Sequence, residues 1–163
     1  MKRNRLKCLR SLIAVCCFLT LWACSSVSGL TGGSKTRLRC SILTGDVINP
    51  YPDGKSAALV LRMYELKALG NFTNTEYLRL VQNDQSLLAT DILWTDSLVL
   101  LPNQELEVPR DELDAKTAYF AVLAEFREHD SPNTIWRGYV ATPGGKTTKC
   151  KIDVTGTQLT IGR

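Results

Sequence analysis

Ala57-Ala58-Leu59-Val60-Leu61-Arg62-Met63-Tyr64-Glu65-Leu66 carries apolar side chains in the pattern of an extended strand. At the two-residue period of a strand, Leu59, Leu61 and Met63 share one face, and Arg62, Tyr64 and Leu66 share the other. Short β-rich runs of the same kind recur on both sides of it, separated by turn residues. Upstream lies Arg37-Leu38-Arg39-Cys40-Ser41-Ile42-Leu43. Downstream, residues 97–101 end at Pro102-Asn103, a turn signal, with Glu105-Leu106-Glu107-Val108 as the expected hairpin partner. Residues 116–127, Lys-Thr-Ala-Tyr-Phe-Ala-Val-Leu-Ala-Glu-Phe-Arg, are nearly continuous in β-forming character and are expected at the centre of a sheet. Residues 135–142 carry Trp136, Pro143-Gly144-Gly145 turns the chain into residues 146–154, and residues 157–161 form a last edge strand. About seven or eight strands at this spacing predict a mainly β fold, an antiparallel β-sandwich.

One segment departs from the strand pattern. Thr73-Asn74-Thr75-Glu76 has Thr and Glu at capping-box spacing, and Tyr77, Leu80 and Val81 follow at helical intervals. A short helical insertion after the second strand is expected, with Phe72 stapled onto Tyr77 and the helix plugging one open end of the sandwich. Leu87 and Leu88 extend its apolar contact beyond a break at Asn83-Asp84.

The N-terminus gives an address. Lys2, Arg3, Arg5, Lys7 and Arg10 precede an apolar run over residues 11–22, too short for the roughly 20 residues that span a bilayer. Leu21-Trp22-Ala23-Cys24 then resembles a bacterial lipoprotein signal, which implies cleavage after residue 23 and acylation of Cys24. Trp22 departs from the small residue usual at that position. The other reading is an ordinary secretory signal cut near Ala23. Residues 1–23 are thus expected to be a signal peptide, 24–36 the lipidated cysteine with a Ser- and Gly-rich tether, and 37–163 the β-sandwich domain. A tether of about eleven such residues has an r.m.s. reach of roughly 17 to 20 Å.

Removing the signal changes what the charge says. The whole chain has 20 Lys and Arg against 16 Asp and Glu, but five of the cations precede Cys24, so the mature formal charge is 15 − 16 = −1. Nucleic-acid binding loses its electrostatic warrant. Cys8, Cys16 and Cys17 leave with the signal, so Cys40 and Cys150 remain as a lone pair in an oxidising compartment and read as a disulfide, the alternative being two unpaired buried thiols. Such a bond would staple the first strand to a late one.

No catalytic or cofactor site can be assembled from these residues. The only histidine, His129, lies in the turn-forming Glu128-His129-Asp130-Ser131-Pro132-Asn133 and is expected to be solvated. Two cysteines far apart and one histidine make no metal site. Asp111, Glu112 and Asp114 lack calcium-loop spacing, and no phosphate-binding glycine loop is present. The expectation is a protein that is not an enzyme and holds no cofactor or metal.

Residues 45–56, Gly-Asp-Val-Ile-Asn-Pro-Tyr-Pro-Asp-Gly-Lys-Ser, join the first two strands with more chain than a hairpin needs. Pro50 and Pro52 restrict themselves and the residues before them, so the loop can be stiff without secondary structure. Asn49-Pro50, then Asp53-Gly54-Lys55-Ser56, then Val60, Arg62, Tyr64 and Leu66 resemble the corresponding stretch of the TssJ (SciN) family, the outer-membrane lipoproteins of type VI secretion systems. The resemblance continues in order through Phe72 to Leu80, Ser97 to Pro102, Phe120 to Arg127 and the pair Trp136-Arg137. Asn103 stands where that family often has glycine.

The resemblance implies a transthyretin-like β-sandwich with an added helix, anchored by lipid in the outer membrane and facing the periplasm. It also implies a partner, the periplasmic C-terminal domain of the inner-membrane protein TssM. By position, Asn49, Pro50, Tyr51, Pro52, Asp53, Gly54 and Lys55 become the partner-binding loop, with Tyr51 as anchor because tyrosine is enriched at hot spots. A different class of function, a periplasmic lipoprotein inhibitor of host hydrolases such as lysozyme, would use the same small disulfide-stapled scaffold.

Overall fold

The computed structural model describes residues 35–163, so the signal segment, Cys24 and most of the tether lie outside the described residues. Eight strands are present among them: β1 (Arg37–Ile48), β2 (Leu59–Leu66), β3 (Ile92–Leu100), β4 (Glu105–Arg110), β5 (Tyr119–Ala124), β6 (Arg137–Ala141), β7 (Thr147–Gly156) and β8 (Gln158–Gly162). Two helices, α1 (Gly70–Asn74) and α2 (Tyr77–Leu87), stand between β2 and β3. The strands form two four-stranded sheets in the orders β4-β1-β7-β8 and β3-β2-β5-β6, a β-sandwich. Residues 116–127 do supply a central strand, β5.

Between the sheets, Leu38, Cys40 and Ile42 of β1 meet Leu59, Leu61 and Met63 of β2, with Phe120 and Val122 of β5 and Ile152 and Val154 of β7. Every one of these is 2 % exposed or less, because alternate residues of each strand point to the same side. Within the described residues the sandwich has its core, six strand pairings and the disulfide. Its contacts begin before Arg37: Thr36 is buried, its carbonyl accepts the Leu113 N–H at 2.9 Å, and its hydroxyl accepts the Gly145 N–H at 2.9 Å.

Five of the six strand pairings are antiparallel, and β1 with β7 is parallel. In that parallel register Cys40 lies directly beside Cys150, and the two form a disulfide with a Cα–Cα distance of 4.5 Å. Gly138 lets β6 close on β8, since a Cβ there would come within 2.6 Å of Ile161 Cγ2.

The expected hairpin of β3 with β4 does not form. β3 pairs with β2 and β4 with β1, so residues 101–104 are a crossing from one sheet to the other. The destination is set by Thr44 of β1: its N–H donates to the Gln104 carbonyl, and its hydroxyl donates to the Leu101 carbonyl and accepts the Gln104 N–H. Asn103 turns the corner at φ 56°, the left-handed conformation that glycine or asparagine tolerates. β3 also begins five residues earlier than residue 97.

The helices do not plug an end of the sandwich. They cover the outer face of β2 and β5, where Tyr64, Leu66, Ala121 and Leu123 form a second core with Phe72, Leu80 and Leu88. Because β2 and β5 are apolar on both faces, something had to cover the outer one. The capping box is not made either. Thr73 lies inside α1 with its hydroxyl on the Leu69 carbonyl, and Glu76 precedes α2 without a side-chain cap. Phe72 packs on Tyr64, ring centroids 5.8 Å apart, instead of on Tyr77. Arg137 Nη1 donates to the Phe72 and Thr75 carbonyls and so caps the C-terminal end of α1. The break in α2 falls at Asn83 (φ −138°), which turns Asp84 inward to accept the Tyr64 hydroxyl at 2.8 Å and Arg62 Nη1 at 3.1 Å. Burial alone would pull the Arg62 guanidinium down, but its bonds to Glu125 and Asp84 outweigh this and hold its pKa above the ordinary value.

Candidate functional site

β1 runs through Ile48, so Gly45, Asp46, Val47 and Ile48 belong to the strand and the free loop spans residues 49–58. The loop is fastened at its base. Ser56 Oγ accepts the Ile48 N–H at 2.9 Å and donates to the Ile48 carbonyl at 3.1 Å, and the Ala57 N–H donates to the same carbonyl. Asn49 is the second brace. It is 5 % exposed and sits at φ 47°, a left-handed conformation in which asparagine is among the few side chains tolerated. Its N–H donates to the Gly156 carbonyl, its Nδ2 to the Ala58 carbonyl at 2.8 Å, and its Oδ1 accepts the Arg127 N–H at 2.9 Å.

Beyond the brace the chain folds into a small closed turn. The Tyr51 N–H donates to the Lys55 carbonyl and the Gly54 N–H to the Tyr51 carbonyl, both at 2.8 Å, with Gly54 at φ 80°. Asp53 takes the Lys55 ammonium at 3.0 Å and the Lys55 N–H at 3.1 Å, which lowers its carboxyl pKa from the ordinary value. Tyr51 is 47 % exposed, and the Arg127 guanidinium lies 3.8 Å from its ring centroid.

Of the seven residues singled out by sequence, Tyr51, Pro52, Asp53, Gly54 and Lys55 are exposed and Pro50 is half-buried. Asn49 is buried, and its role is support. Sequence reasoning missed Arg127, which brings the β5–β6 connection against the loop. His129, expected from its turn to be solvated, is not. His129 is half-buried and stacks on Tyr77 at 4.2 Å between ring centroids, and Tyr77 in turn meets the edge of Trp136 at 5.1 Å and donates its hydroxyl to the Phe126 carbonyl. Burial pushes the Tyr77 phenol up to about 12. The paired aromatic residues at 77 and 136 were the available signal. Among the described residues no cluster of three or more His, Cys, Asp or Glu could hold a metal, and no helix is long and apolar enough to cross a membrane.

The fold and its braced loop define a class of protein, a disulfide-stapled β-sandwich that carries a stiff exposed loop. Residues 36–157 match the family described as Type VI secretion lipoprotein, VasD, EvfM, TssJ, and the chain belongs to that family. It is similar to the type VI secretion lipoprotein TssJ1 from Pseudomonas aeruginosa, with 30% identity over 78% of this chain and 95% of that one and a TM-score of 0.73. A chain of a structure described as the type VI membrane complex is 27% identical over 79% of this chain and 99% of that one, with a TM-score of 0.69. A chain of a structure described as the T6SS protein TssM C-terminal domain from EAEC is 26% identical over 78% of this chain and 98% of that one, with a TM-score of 0.65. No curated protein matches.

Proposed function

We propose that the protein is held in the outer membrane by acyl chains on Cys24, faces the periplasm, and binds the periplasmic C-terminal domain of TssM through residues 49–55, with Tyr51 as the anchor. On this reading it has no catalytic role: it ties one membrane to a partner rooted in the other. The observation that carries the proposal is the loop itself. Buried Asn49 fixes its base, and Arg127 supports the Tyr51 ring from one side, so Tyr51 is exposed yet already ordered. A preformed loop loses little conformational entropy on docking, and a tyrosine brings a large contact area at low entropic cost. The similarity to a chain in a TssM-containing structure supports the choice of partner.

The test is binding of the soluble domain to the TssM C-terminal domain by titration calorimetry. Tyr51→Ala should weaken binding by at least about 2 kcal/mol, the scale of a hot-spot truncation. Replacing residues 52–55 by Gly-Ser linker should abolish what remains. Undiminished affinity in both variants would reject the loop as the contact.

A further inference from the structure

The chain enters the domain at Lys35, and the surface around this entry is basic although the mature protein carries a net charge of −1. Arg37 stands at the start of β1, and its N–H donates to the Lys146 carbonyl at 3.0 Å, which places the β6–β7 turn beside the entry point. In the parallel register Arg39 lies next to Lys149 on the outer face of the sheet, opposite the face that holds Cys40 and Cys150. Arg163 lines one recess together with Lys146 and Lys149. The nearby carboxylates are engaged: Glu112 with Lys35, Asp111 with Arg39, and Asp153 with Lys151. Arg37, Lys146, Lys149 and Arg163 are all exposed and make no ion pair among the described residues.

We propose that this basic surface, formed by Arg37, Lys146, Lys149 and Arg163 where the chain enters β1, is a docking face for an anionic phospholipid bilayer. The choice of occupant rests on the reading of Cys24 as the lipid anchor. Ten residues lie between that cysteine and Lys35, a linker whose r.m.s. reach as a flexible chain is roughly 16 to 19 Å, so the tether keeps the face close to the bilayer. Basic residues brought within a Debye length of an anionic surface, about 8 Å at physiological salt, are attracted to it. β1 then runs from this face to the loop at its other end, twelve residues and roughly 40 Å away. Docking therefore turns the loop at residues 49–55 away from the bilayer and limits the directions in which the tethered domain points.

The experiment is sedimentation of the soluble, disulfide-bonded domain from Ser25 onward with vesicles. Binding is expected to mixed phosphatidylcholine–phosphatidylglycerol vesicles, lost at high salt, and absent with phosphatidylcholine alone. Lys146→Glu with Lys149→Glu should weaken it at least about tenfold. Lys55→Glu with Arg79→Glu, the same change in net charge made elsewhere, should leave it unchanged. Equal binding to neutral vesicles, no binding to anionic ones, or equal losses in the two double variants would overturn the proposal. Saturating inorganic phosphate at constant ionic strength should not release the domain; release would show a single-anion site and also overturn it. Failure of vesicle binding with intact TssM binding refutes this inference alone. The Lys146→Glu, Lys149→Glu variant should still bind TssM, and Tyr51→Ala should still bind vesicles.

Discussion

Replacing Asn49 tests whether a brace that is only 5 % exposed governs binding. Asn49→Gly keeps the left-handed backbone at φ 47° but deletes the bonds to the Ala58 carbonyl and the Arg127 N–H, each part-buried. Two part-buried groups left without partners cost about 1 to 3 kcal/mol each, and water reaching the opened site offsets part of this, so a loss of about 2 to 3 kcal/mol in stability is expected. Asn49→Ala should cost about 1 kcal/mol more, because it adds a Cβ to a left-handed conformation without asparagine's local bonding. Urea unfolding of the oxidised domain measures both; at an m-value near 2 kcal/mol/M the midpoint for Asn49→Gly should fall by roughly 1 to 1.5 M. Both variants should also bind TssM more weakly while every exposed loop side chain is still present, since ordering the freed loop must then be supplied by the binding event. Reduced stability with unchanged TssM affinity would refute the link between the brace and binding. Unchanged stability would refute the brace itself.

Glu65, 1 % exposed at its side chain, accepts Arg110 Nε and Nη2, the Asp114 N–H and the Thr117 hydroxyl, so Glu65→Ala should cost about 3 kcal/mol. In a double-mutant cycle with Arg110→Ala the two losses should not add, and strict additivity in urea melts would deny the coupling. The Cys40–Cys150 bond closes a loop of 110 residues, so reduction should lower stability by up to about 5 kcal/mol, read as a fall in Tm in dithiothreitol that a Cys40→Ser, Cys150→Ser variant does not show. Burial raises the phenol pKa of Tyr64, helped by the Asp84 charge, and that of Tyr77 to about 12, so both favour the folded state below pH 10. That contribution should be lost as the pH rises from 10 through about 12, and a Tm flat across this window, or unaltered in slope by Tyr77→Phe, would contradict it.

The strands most legible in the sequence were those with the simplest environments. β2 and β5 are apolar on both faces because one side meets the other sheet and the other meets the helices, and their two-faced patterns read directly. The sequence marks β3 only from Ser97 because Thr95, Asp96 and Ser97 are exposed on an edge strand and show no period. The turn at Pro102-Asn103 was evident from its residues, but where it leads depends on Thr44, about 60 residues away, which no local pattern contains. The capping-box spacing at Thr73 was real and was overridden by burial of Phe72 against Tyr64. The candidate loop was found by its length and prolines, yet the split between buried Asn49 and exposed Tyr51 depends on Arg127, 78 residues from Asn49.

The arrangement of β1 bears on how such a protein carries load. If Cys24 is held in a membrane and residues 49–55 hold TssM, tension enters the domain before Arg37 and leaves after Ile48, along the length of one strand. β1 is paired on both sides, antiparallel to β4 and parallel to β7, and the disulfide ties it to β7 close to where the force enters. Tension applied at both ends of the same strand is carried by the β1 backbone, which is already extended, so the ladders to β4 and β7 and the disulfide lie beside the load path and serve to keep the strand seated in its sheet. Single-molecule extension between handles at Lys35 and Lys55 should therefore release only the slack of the loop that follows Ile48, with the same trace in the oxidised and reduced domains. A rupture step whose force falls on reduction would show instead that the ladders carry the load.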